Sequence, residues 1–327
     1  MIQLEDIAHV AYYAEDLATM SAFLADFGFV PLSQNGDALY MKGSGAQPYA
    51  HVTLAAGNDK SGMAYVAFEV ASADELRRAA AIPGASTIEE VDGPCAGQRV
   101  RLRDPDGFAI HLVHWTQGAA AATVSAQPPA CTAMTNTPAA KSRLGATLRP
   151  PRGPAPVFRL GHVLLHVRDI AATDAWYTRH LGLRLSDGLT EPGGDRMVAG
   201  FYRLSKADQY VDHHAIGFVE APATLAGTAH HASFEVESFD AISAGHHWLG
   251  RRGWKPRWGV GRHVLGSQVF DYWHDPAGNV VEHYADGDVF NESTPAGFHP
   301  NSIDMLASWA PPYPGTAGTA GAQGKAD

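Results

Sequence analysis

The chain has 327 residues, 45 % of them hydrophobic and 18 % charged, which is enough apolar material for two domains of ordinary size and excludes wholesale disorder. A net charge of −10 argues against nucleic acid or an anionic membrane as the main partner. No apolar run reaches membrane-spanning length, the start MIQLED lacks a basic leader, and the two cysteines, Cys95 and Cys131, have no disulfide or metal spacing. These features predict a protein of the reducing cytoplasm, bound to neither membrane nor nucleic acid.

Four segments share one pattern in chain order: AHVAYYAED (8–16), AYVAFEVAS (64–72), GHVLLHVRD (161–169) and HHASFEVES (230–238). Each reads as an alternating strand followed by a helix signal. After the first, Leu17, Met20, Phe23, Leu24 and Phe27 fall on one helical face. After the second, Ser72 and Glu75 have the spacing of a capping box. The third helix pattern ends at Gly182, a helix stop. The second and fourth units close alike, RDPDGFAIHLVHW (103–115) and HDPAGNVVEHYAD (274–286). The repeat is therefore a βαβββ unit of about 55 residues, present four times and paired into two domains of class α+β, each a curved sheet enclosing a pocket.

Between Asp106 and Asp169 there is no acidic residue, and the Ala/Thr/Pro-rich stretch inside that span has no strand or helix period. The expected division is a first domain over 1–117, a linker or surface arm over 118–157, a second domain over 158–300 and a tail over 301–327 whose Gly/Ala-rich end frays.

Thirteen of the seventeen histidines lie between residues 158 and 300. In strand 161–167, Val163, Leu165 and Val167 face the helix-covered core, so His162, Leu164 and His166 face the other way. In strand 230–236, Phe234, Val236 and His230 are assigned to the core face and His231, Ser233 and Glu235 to the opposite one. His162 and His231 occupy equivalent positions of two repeats, and the closing strand of the fourth unit adds Glu282. Two imidazoles and a carboxylate converging in a concave sheet form the facial triad expected of non-haem Fe(II), with three cis positions left open. The first lobe has His9, Tyr65 and His111 at the matching places, which predicts a lobe without metal.

These residues and motifs resemble the catalytic domain of the type I extradiol ring-cleavage dioxygenases, of the catechol 2,3-dioxygenase and 2,3-dihydroxybiphenyl 1,2-dioxygenase kinds, in the vicinal oxygen chelate superfamily. The motif-level match is confined to 158–290, and GRHVLGSQVFDYWHDPAGNVVEHY (261–284) is its most specific part. The resemblance implies His162, His231 and Glu282 as ligands of Fe(II), with Mn(II) as the alternative ion. It nominates His214, in HAIGF (214–218), as a hydrogen-bonding and proton-carrying group, and His263 and Tyr272 as groups that hold the substrate hydroxyls. The implied partners are a catechol-type diol and O2, in a homo-oligomer. Trp176, Phe201, Tyr202, Trp254, Trp258, Trp273 and Phe298 are candidate aromatic walls, and 286–300 a candidate cover for the pocket. His246, His247, His274 and His283 are read as surface or supporting groups.

Two other functions share this fold. A glyoxalase-like isomerase or epimerase wants a fourth ligand, usually a carboxylate in the third unit, and HHAIGFV (213–219) offers none. A ligand-sequestering protein needs no metal and leaves the His/His/Glu set unexplained.

Overall fold

A computed structural model describes residues 1–57, 60–116 and 136–314. The first unit comprises β1 (Leu4–Ala14), α1 (Leu17–Phe27), β2 (Val30–Gln34), β3 (Ala38–Lys42) and β4 (His51–Ala55). The second comprises β5 (Met63–Val70), α2 (Ala73–Ala80), β6 (Glu89–Glu90), β7 (Gly97–Arg103) and β8 (Ala109–Trp115). The third runs β9 (Val157–Val167), α3 (Ile170–Leu181), β10 (Arg184–Thr190), β11 (Met197–Arg203), β12 (Val211–Asp212) and β13 (Ile216–Glu220). The fourth is β14 (Ala229–Val236), α4 (Phe239–Arg252), β15 (Pro256–Arg262), β16 (Val269–His274) and β17 (Val280–Ala285). β18 (Val289–Phe290), β19 (Gly297–Pro300) and a 3-10 turn (Ile303–Met305) follow.

The two large sheets have orders β2-β3-β4-β1-β5-β8-β7-β6 and β15-β16-β17-β14-β9-β13-β11-β10-β19, and β12 and β18 pair as a small third sheet. In every unit the first and last strands are parallel neighbours, and paired units meet through the antiparallel couples β1–β5 and β9–β14. This is the α+β arrangement of paired βαβββ units expected from the repeats.

Local chemistry sets the helix limits. The Asp16 and Asp169 carboxylates each accept two backbone N–H groups at the starts of α1 and α3, and Gly28 (φ 112°) and Gly182 (φ 67°) end them in the left-handed region. The Ser72–Glu75 capping box does not form. The Glu75 carboxylate instead accepts the Gln3 N–H at 3.1 Å and pairs with Arg78, while Ser72 contributes only its carbonyl to the Glu75 N–H.

One apolar cluster spans both lobes, joining Phe23, Phe27, Phe29 and Phe68 to Leu160, Val163, Phe218, Phe234 and Trp273. Edge-to-face rings bridge the lobes at Phe29–Phe234 (4.8 Å) and Phe23–Trp254 (5.2 Å). At this seam Asp26 accepts hydrogen bonds from Trp248, Arg252 and Trp254. Asp104 accepts one from the Tyr177 hydroxyl at 3.0 Å. His283, read from sequence as a surface or supporting group, is fully buried here: its Nε2–H donates to the Phe27 carbonyl at 2.7 Å and its ring stacks on Phe27.

Of the expected linker, residues 118–135 lie outside the described part. Its end is tied to both lobes: Ser44 and Gly45 of the first donate to the carbonyls of Val157 and Phe158, and Ala155 is buried against α4 of the second. Of the expected tail, residues 315–327 lie outside the described part. No described helix is long and apolar enough to cross a membrane.

Candidate metal centre

Three neighbouring strands of the second sheet supply three side chains to one point. β9 presents His162, β14 presents His231 and β17 presents Glu282. Register places Ser233 opposite both His162 and Glu282, and His231 opposite Leu164. The alternation of β9 fixes the side: Leu160, Val163, Leu165 and Val167 enter the core, whereas His162, Leu164 and His166 line the cavity.

One donor atom from each of His162, His231 and Glu282 lies within 4.8 Å of the others, and all three residues are buried. Among the described residues this is the one such group of three. His162 Nε2 and His231 Nε2 stand 3.3 and 3.2 Å from a Glu282 oxygen. Even so, both Glu282 oxygens and His231 Nε2 lack a hydrogen bond of acceptable geometry. Burial of a carboxylate without partners is expensive, and a divalent cation at the meeting point satisfies all three atoms at once. Burial pushes the Glu282 carboxyl up, but the three imidazoles around it win and hold it well below the usual carboxylate range. Burial lowers His162, so its ring is neutral. Neutral imidazole and ionised carboxylate are the states that ligate a metal.

Above these groups lies a cavity of about 580 Å³, with His214, Phe201, His263, Tyr272, Trp258 and Leu164 among its walls. His214 precedes β13, its ring centroid 4.1 Å from that of His162. Burial, then the neighbouring imidazoles, hold it neutral. His263 follows β15, and its Nδ1–H donates to the Leu306 carbonyl at 2.7 Å. That leaves Nε2 as acceptor for the Tyr272 hydroxyl at 2.9 Å. Burial beside Glu282 raises Tyr272 well above the usual phenol range, so it keeps its proton. All six residues named from sequence therefore border one cavity or its floor.

Several expectations change. His230 does not face the core. A register shift between Ala229 and His231 turns both rings toward the cavity, where His230 Nδ1 and His231 Nδ1 are 2.6 Å apart. Burial holds His230 neutral, so it can accept the His231 Nδ1–H and fix that ring, a partner sequence parity missed. Of the candidate walls only Phe201 and Trp258 line the cavity; Tyr202 and Trp273 are core, Trp176 and Trp254 pack at its edge, and Phe298 is largely exposed. Segment 286–300 is not the cover, because β19 hydrogen-bonds to the edge strand β10. Asn301, Met305, Leu306 and Tyr313 line the cavity instead. In the first lobe, His9 packs against Tyr49, Tyr65 and Trp115, and His111 stacks on Tyr65.

A family profile described as the Glyoxalase/Bleomycin resistance protein/Dioxygenase superfamily matches residues 159–283. The chain is 29 % identical over 317 residues to metapyrocatechase 2 of Cupriavidus necator, covering 95 % of this chain and 90 % of that one. Among solved structures it is similar in fold to the 2,3-dioxygenase LapB from Pseudomonas sp. KL28 (TM-score 0.72, 21 % identity, 91 % and 99 % of the two chains). It is also similar to the Mn(II)-bound glyoxalase from Novosphingobium aromaticivorans (TM-score 0.75, 21 % identity, 97 % and 94 %). Residues 159–283 thus match the profile of the glyoxalase/bleomycin resistance protein/dioxygenase superfamily, and over nearly its whole length the chain is similar to a metapyrocatechase.

Proposed function

We propose that this protein opens the aromatic ring of a catechol-type substrate beside the diol, placing both atoms of O2 in the product, with Fe(II) held by His162, His231 and Glu282. The observation that carries the reading is the buried, hydrogen-bond-starved His/His/Glu trio at the floor of an aromatic-walled cavity. When bound, a ferrous ion on this face supplies open positions for the diol oxygens and for O2, and a route for electrons from ring to oxygen.

The chain's own residues do the rest. Phe201, Trp258 and Leu164 give a planar ring apolar walls and exclude water. His214, neutral and buried, takes a proton from a substrate hydroxyl at the nitrogen not occupied by its neighbour. Tyr272 and His263 form a hydrogen-bonded couple in which the phenol O–H donates to His263 Nε2 and the phenol oxygen is free to accept a hydrogen bond from a substrate hydroxyl. The cavity is larger than a bare catechol requires, which leaves room for a ring substituent. The implied setting, a cytoplasmic homo-oligomer acting apart from nucleic acid and membranes, is part of the same proposal.

The similarity to a glyoxalase supports an isomerase only at the level of fold, and the group of three offers no fourth carboxylate. The test is anaerobic loading with Fe(II), and in parallel Mn(II), followed by O2-electrode traces across substituted catechols. One O2 consumed per catechol with a yellow ring-opened product is expected. Flat traces with the ion fully loaded sink the reading, and isomerisation of a methylglyoxal–thiol adduct replaces it.

A further inference from the structure

Behind His214, away from the ligand trio, three side chains continue a hydrogen-bonded line to the surface. His214 Nδ1 is 2.9 Å from His213 Nδ1, His213 Nε2 is 2.7 Å from Asp187 Oδ2, and Asp187 Oδ1 is 3.0 Å from His299 Nε2. Side-chain exposure falls inward along it, from 36 % at His299 through 13 % at Asp187 to 1 % at His213. The line joins strands far apart in sequence: Asp187 lies on β10, His299 on β19, and the two histidines just before β13.

The backbone leaves room for it. A Cβ at Gly297 would lie 2.1 Å from Asp187 Oδ1 and 2.8 Å from His299 Nε2, and one at Gly266 (φ +76°) would lie 3.0 Å from His213 Nδ1. Phe201 and Phe290 pack on the His213 ring, and the Asp288 carbonyl accepts its backbone N–H. The polar partners of the ring are therefore Asp187 and His214, with His299 beyond the carboxylate.

Donor and acceptor roles follow. An ionised carboxylate only accepts, so the His213 proton sits on Nε2 and points at Asp187. When His213 carries that one proton its Nδ1 is an acceptor, which places the His214 proton on Nδ1 and leaves its Nε2 bare toward the cavity. Burial pushes Asp187 up, but hydrogen bonds from His213 and His299 outweigh it and keep the carboxyl below its usual range.

We propose that Asp187 and His213 are positioning residues that set the tautomer of His214 and store the proton it removes from substrate. The inference rests on the function proposed above. The substrate O–H proton passes to His214 Nε2 as the His214 Nδ1 proton passes to His213 Nδ1. His214 is neutral before and after. His213 becomes an imidazolium beside the Asp187 carboxylate, as in an acid–base triad with one ring added. No electrons change hands, and the reverse shift returns the proton to the ring-opened product.

Nitrogen-15 spectra of histidine-labelled protein, loaded with diamagnetic zinc, test the tautomer without turnover. Wild type should show His214 protonated at Nδ1 and bare at Nε2, and Asp187→Asn should lose that fixed state. His213→Phe, which keeps the ring packing, should move the His214 proton to Nε2 and decides the matter if Asp187→Asn does not fold. In the iron-loaded enzyme each variant should lower kcat on the order of 10- to 100-fold with KM within about threefold. A His214 bare at Nδ1 in wild type, or a tautomer and kcat unchanged in His213→Phe, overturns the proposal. Absence of ring opening with any catechol strikes the proposed function instead, and the spectra still decide the relay.

Discussion

Glu282 makes no hydrogen bond of good geometry, although it is fully buried. Glu282→Gln keeps its shape and removes the charge that faces the ion. The expected result is metal content near zero after gel filtration, and a Tm that metal addition raises in wild type but not in the variant, since binding to the folded state alone drives that shift. His162→Ala and His231→Ala should behave alike in elemental analysis, whereas His9→Ala should leave metal content unchanged. By contrast, His263→Ala and Tyr272→Phe should retain the ion and lower turnover on the order of 10²-fold, read as kcat in the Fe(II)-loaded protein. The convergence of the three candidate ligands was legible in the sequence because a strand repeats every two residues: once Val163 and Leu165 are core, His162 must face the other way. His230 was not legible, because a bulge suspends that alternation at the very residue where it was applied. Asp187 and His299 carried no local signal either, being 112 residues apart and joined only by the parallel pairing of β10 and β19.

β9 shows how closely strand packing and the metal centre are coupled. Gly161, next to His162, faces Tyr284, and a Cβ there would lie 2.0 Å from the phenol oxygen of that fully buried side chain. Gly161→Ala should cost about 1–3 kcal/mol through overpacking. It should also weaken metal retention, because the displaced strand carries a ligand; thermal unfolding and elemental analysis of the same preparation check both. The repeats made the four βαβββ units readable, since each strand-then-helix signal recurs with the same spacing. What covers the cavity was not readable. Residues 286–300 are polar and follow the last ligand strand, yet β19 finds an open sheet edge in β10 and extends the sheet instead. Leu306 and Tyr313, from the region read as tail, reach the cavity, and the Leu306 carbonyl fixes the His263 ring.

Imidazoles buried in the first lobe and at the seam between the lobes are expected to shape the acid response of the molecule. His51 is fully buried among Tyr12, Phe29 and Phe234 with neither ring nitrogen hydrogen-bonded, and burial lowers it from 6.5 to about 3. His111 is lowered to about 3 and His283 to about 4, also chiefly by burial. A depressed histidine contributes stability above its unfolded value that is lost as pH falls toward the folded one, because only the unfolded chain takes up the proton. Asp6, Asp104 and Asp275, raised to about 6 by burial, act in the opposite sense and return some stability as pH falls below 6. His51→Phe isolates one contribution: its loss of stability between pH 7 and pH 5 should be smaller than that of wild type by about 2 kcal/mol. Denaturant unfolding at the two pH values measures it.

The apolar cluster that runs through both lobes has a consequence for how the chain can be divided. The first lobe, which lacks the His/His/Glu set, still takes part in the packing of the second. Phe27 and Phe29 of the first lobe roof Phe234 of the second, and its Asp26 collects two indoles and a guanidinium from across the seam. Truncating the gene to its second half would expose those groups to water, so that half is expected to be less stable alone than within the whole chain. The first lobe is therefore part of the second lobe's own wall, held there by the chain itself.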